Sequence, residues 1–207
     1  QAMPKDAVVL IHGLWMNGVD MSLLKHRLSK HFITYQFSYN STACDSIENA
    51  DKLNEFVSKI EADTIHFVAH SLGGLVLRHL FSLHPSQKSG RVVTLGTPHK
   101  HSHSAVQFSR FASTRFLLGK SIQNGLLGDV PEWNETRELA SIAGTFRFGM
   151  GVIIPGLVQP NDGTVAVQET QIENMSTHIC FHVSHFGLLL SLKVSDAVVS
   201  FLQTGKC

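Results

Sequence analysis

The stretch FVAHSLGGLV, residues 67–76, decides how the rest of the chain is read. An apolar run leads through Ala69 and His70 into Ser71, and Gly73 and Gly74 follow. A hydroxyl at the end of a buried strand is costly unless the backbone turns sharply and presents it. Residues 69–73, AHSLG, have the spacing of a strained strand-to-helix elbow, Gly-x-Ser-x-Gly, with Ala69 in place of the first glycine. Small residues flank the serine in such a turn because a bulky side chain would meet the neighbouring strand or helix, and alanine satisfies that condition. Ser71 then stands at a helix N-terminus, where backbone N–H groups and the helix dipole favour negative charge. The pentapeptide alone also fits a plain corner whose serine caps the helix, so the surrounding sequence has to decide.

Working outward, strands and helices alternate. AVVLIH (7–12) is a short β-branched run followed by Gly13 and reads as a buried strand. Residues 20–31 place Met21, Leu24 and Leu28 at helical spacing, and ITYQFSY (33–39) alternates as a strand does. Ile47, Ala50, Leu53, Val57 and Ile60 mark one face of a second helix, with Asp45 or Ser46 as its N-cap. TIHFVA (64–69) feeds the elbow, and residues 72–84 leave it as a helix striped by Leu72, Leu75, Val76 and Leu80. RVVTLG (91–96) is the next strand. Parallel neighbours need crossover connections, so this alternation predicts the α/β class, a mainly parallel sheet flanked by helices on both faces. At 207 residues the chain reads as a single domain, 1–207. Chemistry in such sheets collects beyond the carboxyl ends of the strands. Gly13, Ser71 and Thr97 all fall there.

Composition narrows the function classes. A hydrophobic fraction of 43% is that of a globular protein. Seventeen basic and sixteen acidic residues give a formal charge of +1 with no block of like charge, so no nucleic-acid footprint is visible. Cys44, Cys180 and Cys207 form none of the close pairs that metal or redox motifs use. No run of about 18 apolar residues occurs, so no membrane span is expected. Met3 fits a native start behind two further residues, which favours the cytoplasm, although a cleaved secretory signal would leave the same beginning. The sequence leaves the oligomeric state unknown.

Two contexts bear on the elbow. Acyl transfer needs two N–H donors aimed at a developing oxyanion, one from the residue after the nucleophile and one from a loop after an earlier strand. Leu72 and Leu14 hold those positions, the latter within IHGLW (11–15). A serine also needs a histidine to take its proton, and that histidine needs an acid to fix its tautomer, in the chain order serine, acid, histidine. QPNDGTVAV (159–167) puts Asp162 in a turn, and ICFHVSHFGLLLS (179–191) puts His185 between an apolar strand and a helix. Asp129 is the main rival for the acid. Asp196 reads as a solvated helix charge, His178 as a turn residue and His182 as a strand residue. His70 reads as shaping the elbow, since side chains of consecutive residues diverge.

The segments VVLIHGL, VAHSLGG, VVTLGTPH, NDGTVAV and VSHFGLLLS, in this order, resemble the α/β-hydrolase superfamily and, within it, the compact bacterial serine lipases and esterases. The resemblance spans roughly residues 7–202 and lies in the ordered set of motifs. It implies Ser71 as nucleophile, His185 as general base and then acid, Asp162 as orienting carboxylate, and the N–H groups of Leu14 and Leu72 as oxyanion hole. It implies ester chemistry on short to medium acyl esters or lipids, without cofactor or metal. A thioesterase or acyltransferase would use the same groups, and a non-catalytic binding protein could keep the fold. Residues 99–140 depart from the most compact members: they read either as an ordinary crossover or as a small cap, with Phe111 and Phe116 covering an acyl pocket that Trp15 and Met16 also line. His99, His101 and His103 alternate as on an extended strand but lack a completing carboxylate or cysteine, and read as a solvated loop.

Overall fold

The computed structural model describes residues 6–149, 152 and 154–207; Met3, the expected native start, lies outside them. Strands β1 (Ala7–Ile11), β2 (Ile33–Phe37), β3 (Ile65–His70), β4 (Val92–Leu95), β5 (Leu139–Gly144) and β6 (Thr177–Phe181) form one sheet in the order 2-1-3-4-5-6. Every neighbouring pair is parallel. The connections carry helices α1 (Ser22–Leu28), α2 (Ser46–Ser58), α3 (Leu72–Leu83), α4 (His103–Ser109) and α5 (Ala112–Leu118), and α6 (Leu192–Thr204) closes the chain.

Alternation of side chains across the pleat explains why the central strands are apolar throughout. On β1, Ala7, Val9 and Ile11 face α2 and α3, packing in a core with Ala50, Leu53, Val76 and Leu80. Val8 and Leu10 face the other way, into a core with Leu24 and Leu28 of α1 and Val194, Val198 and Phe201 of α6. A parallel sheet covered on both faces follows from burying both sets at once, and the fold is α/β as the alternation required.

Local details sharpen the sequence reading. Asp45, and not Ser46, caps α2: its Oδ1 accepts the Glu48 N–H at 2.9 Å. The first helix is shorter than its periodicity, with a 3-10 turn at Val19–Met21 before α1. His178 lies on β6 and His182 beyond it, the reverse of expectation, because the ladder to β5 runs from Ala140 opposite Thr177 to Gly144 opposite Phe181. The 99–140 connection is not one long helix, and only its end, with Trp133, Leu139 and Ala140, joins the two main cores. Ala105, Leu118, Ile122 and Leu126 form a third apolar cluster with Leu72 and Leu75, on the first turns of α3.

The elbow itself is a strained turn. Ser71 still donates its N–H to Leu95 O at 2.9 Å, continuing the ladder between β3 and β4, and α3 begins at the next residue. To make that change of direction its backbone takes φ 52° and ψ −120°, a region that costs a non-glycine residue about 1–3 kcal/mol. The Ser71 side chain makes no capping hydrogen bond, so the helix-cap reading does not hold. The turn also brings α3 down onto the end of β1. A Cβ on Gly73 would lie 2.7 Å from Ile11 O and 2.8 Å from His12 O, both backbone atoms that cannot step aside. Gly73→Ala should therefore lower the unfolding free energy by about 1–3 kcal/mol in urea denaturation. An unchanged midpoint would mean that α3 can lift away from β1 freely.

Candidate active site

Three loops meet above the carboxyl ends of the strands. The first follows β3 and carries Ser71. The second follows β5 and carries Asp162, which is 1% exposed. The third follows β6 and carries His185, and its backbone is pinned to the second because His185 N–H donates to Asp162 O at 2.9 Å. His185 Nδ1 and Asp162 Oδ2 are 2.6 Å apart. The other carboxylate oxygen, Oδ1, accepts the N–H groups of Thr164 at 2.9 Å and Val165 at 2.7 Å. With its acceptor sites so filled the carboxylate is aimed, and His185 donates Nδ1–H to it. Nε2 is then the free nitrogen. Ser71 and His185 line the same pocket. Gly96, just past β4, leaves room for the imidazole: a Cβ there would come within 2.9 Å of His185 Nδ1.

His70 serves this arrangement from below. Its Nε2–H donates to the His185 carbonyl at 2.9 Å, and the two rings lie 4.5 Å apart between centroids. Burial pushes its pKa down to about 3, helped by the neighbouring His185, so the ring stays neutral. It clamps the His185 loop.

The first loop after β1 is held just as closely. His12 Nδ1–H donates to Gly13 O at 2.8 Å, and Nε2 accepts the Tyr39 N–H at 3.1 Å. Tyr39 returns its hydroxyl to His12 O at 2.8 Å and stacks on the imidazole at 4.2 Å. Because a peptide is planar and trans, fixing the Gly13 carbonyl also fixes the Leu14 N–H on its opposite edge. Leu72 is the first residue of α3, so its N–H has no intrahelical acceptor. Among the described residues neither amide donates to another backbone carbonyl outside the helices and strands.

The pocket that joins these groups has a volume of about 200 Å³ and a mostly apolar wall. Trp15 and Met16, the two residues after Leu14, line it. Phe111 and Phe116 do not. They are 68% and 84% exposed, because α5 buries only its last residue, Leu118. The wall comes instead from Phe108, Leu118 and Leu126, with Thr164 and Val165 from the acid loop. Sequence periodicity could not choose among the three phenylalanines, since the break between α4 and α5 resets the helical phase. Glu169 was also missed. Its carboxylate accepts the Ala166 and His103 N–H groups, each at 2.7 Å, tying the acid loop to the start of α4, and burial raises its pKa.

The remaining candidates lie apart. Asp129 lines a separate polar cavity with Arg78 and Trp133, and Asp196 is exposed on α6. The three histidines after β4 are not a solvated row. His99 is buried against Thr94, only His101 is exposed, and His103 begins α4 with Nε2–H donating to Pro155 O. The chain turns after β4 to bury His99, which breaks the extended geometry that alternation assumed. Among the described residues no group of three His, Cys, Asp or Glu side chains is placed to hold a metal ion.

Burial also depresses His99 to about 3, with Arg78 adding to the effect. For both His70 and His99 the unfolded chain takes up protons below about pH 6.5, whereas the folded chain does so only near pH 3. Their stability contribution is complete above the upper value and is lost as pH falls through the window. Between about pH 6.5 and pH 5 each should remove about 2 kcal/mol. Urea denaturation at both pH values measures this, and His99→Gln should flatten the dependence by about half.

Comparison with known proteins bears on the family and the fold. Residues 2–113 match the profile of the family described as "Putative serine esterase (DUF676)". No curated protein sequence matches the chain. The fold is similar to that of the mature lipase BlEst2 of Bacillus licheniformis, with TM-score 0.74 and 18% identity over 100% of this chain and 95% of that one. It is also similar to the carboxylesterase CesB of Bacillus subtilis, with TM-score 0.63 and 13% identity over 98% of this chain and 85% of that one. The phospholipase PlaB of Legionella pneumophila gives TM-score 0.70 and 15% identity over 94% of this chain and 56% of that one. The chain therefore belongs to the DUF676 family and has the α/β-hydrolase fold.

Proposed function

We propose that the chain is a serine carboxylester hydrolase that works through an acyl-enzyme on short to medium acyl esters. The observation that carries this reading is the 2.6 Å contact between His185 Nδ1 and Asp162 Oδ2, made where His185 and Ser71 share one apolar pocket. Asp162 holds the tautomer that leaves His185 Nε2 unprotonated. Nε2 takes the Ser71 proton as Oγ bonds to the ester carbonyl carbon, and the carbonyl π pair moves onto oxygen. Leu14 and Leu72 N–H groups meet that oxyanion. His185 then passes its proton to the leaving alcohol oxygen as the carbon–oxygen bond breaks. Water, deprotonated by the same nitrogen, adds to the acyl-enzyme, and collapse of the second intermediate frees the carboxylic acid and returns the proton to Ser71. Asp162 stays ionised throughout.

The acyl chain in this reading lies against Trp15, Met16, Phe108, Leu118 and Leu126. Among the described residues no Asp, Glu, Lys or Arg side chain lines the pocket, so an uncharged acyl chain is the fitting ligand. A wall of this kind contributes about 0.8 kcal/mol per methylene it covers, which is about fourfold in kcat/KM.

A fluorophosphonate probe should label the folded protein on the peptide containing Ser71, as read by mass spectrometry; labelling elsewhere, or none, would sink the assignment. Asp162→Asn should lower kcat about 10⁴-fold, while Asp129→Asn should leave it nearly unchanged. The reverse ranking would move the acid to the other loop.

With nitrophenyl esters, kcat/KM should rise from acetate to butyrate by about fourfold per methylene and then level off when the pocket is full. Phe108→Ala should carry that rise to longer chains. A uniform loss on all esters, tracking a lower thermal midpoint, would show instead that Phe108 holds the fold and does not set the chain length.

A further inference from the structure

The α4–α5 pair leaves an apolar face that the catalytic reading does not use. Phe111 caps the start of α5, and the helix buries only Leu118. Phe116 is 84% and Leu117 53% exposed. This face runs into the pocket mouth, because Trp15 Nε1–H donates to Leu117 O at 2.7 Å, and Trp15 and Phe186, both half-exposed, line the pocket. Large apolar side chains gathered on one surface are unfavourable in water and mark a place that something covers.

Charge selects what covers it. Residues 101–128 contain no aspartate or glutamate, although the whole chain is nearly neutral. Arg110, Arg115 and Lys120 are all exposed, and among the described residues none pairs with a carboxylate. Arg115 lies one residue before Phe116, so its aliphatic stem can lie along an apolar layer while its guanidinium stays at the polar boundary. A second copy of the chain is a poor occupant. A twofold contact would set these three cations against their own symmetry mates, with no acidic residue of the segment to relieve them.

We propose that the outer face of α4–α5, from Phe111 to Lys120, together with Trp15 and Phe186, docks onto an anionic lipid layer and sets the pocket mouth against it. Phe111, Phe116 and Leu117 enter the acyl boundary, and Arg110, Arg115 and Lys120 pair with anionic headgroups. The surface does not depend on Ser71, so it stands or falls separately from the esterase reading.

Co-sedimentation with vesicles of ether-linked lipids, which an esterase cannot cleave, tests it directly. Wild-type protein should bind vesicles of equimolar phosphatidylglycerol and phosphatidylcholine, and bind pure phosphatidylcholine far less. Arg110→Gln and Arg115→Gln should each weaken binding about fivefold, and Phe116→Ser at least about tenfold. All three residues are exposed, so the variants should keep their thermal midpoint, their turnover of nitrophenyl acetate and their labelling at Ser71. Absence of binding by the wild type, or equal binding by the variants, would overturn the proposal. So would sedimentation velocity showing a dimer that Phe116→Ser dissociates, since the face would then be a self-interface. Binding that persists in a protein that no probe labels would overturn the esterase reading and leave the surface intact.

Discussion

The constraint on which the rest of the structure depends is the reversal of the chain at Ser71. One residue must end a buried parallel strand and begin a helix that packs back against that strand's neighbour, and it does so at φ 52°. The last ladder bond, from Ser71 N–H to Leu95 O, holds the turn on one side. The Thr97 hydroxyl, donating to Ser71 O at 2.8 Å, holds it on the other. Gly73 allows α3 to rest on the carbonyls of Ile11 and His12, and a side chain on Gly74 would overlap Thr97. The strain is tolerable because well-packed elements on every side over-determine the turn. Its product is a hydroxyl that cannot reach back to cap its own helix.

The other loops are positioned by the same economy, in which each polar group buried near the elbow fixes a second one. His70 orients the His185 loop, Asp162 is filled by Thr164 and Val165, and Glu169 ties that loop to α4. His12 and Tyr39 do the same for the peptide between Gly13 and Leu14. Neutral buried histidines suit these tasks, because each offers one donor and one acceptor without carrying a charge into the interior. The cost is acid sensitivity, since the unfolded chain can be protonated where the folded one cannot.

Above this rigid floor, the α4–α5 pair is built differently. It closes the apolar pocket with Phe108 and Leu118 and turns Phe111, Phe116 and Leu117 outward. One short segment thus has two apolar sides, one facing the pocket and one facing solvent, with cations around the second. A helix apolar on both sides is unstable as a free surface element.

The sequence alone determined the α/β class, the sites of β1 to β4 but not of β5, and the chain order of the candidates Ser71, Asp162 and His185. These follow from local periodicity and from chain order, which survive without coordinates: β1 is apolar at every position because both faces are covered, and Asp162 sits in a turn whose residues declare it. Tertiary structure alone decided how those positions meet. Whether Ser71 caps its helix depended on a backbone angle, and the contact of Asp162 with His185, with Asp129 in another cavity, on which loop lies beside β6. The choice of Phe108 over Phe111 and Phe116 depended on where α4 breaks. His99 reads as exposed in a polar run, yet it is buried, because the chain turns inward after β4 to hydrogen-bond Thr94. Pattern reports which face a residue shares with its near neighbours in sequence. Contacts between residues such as His70 and His185, 115 positions apart, arise only when the sheet order and the long loops are set, and no local period encodes them.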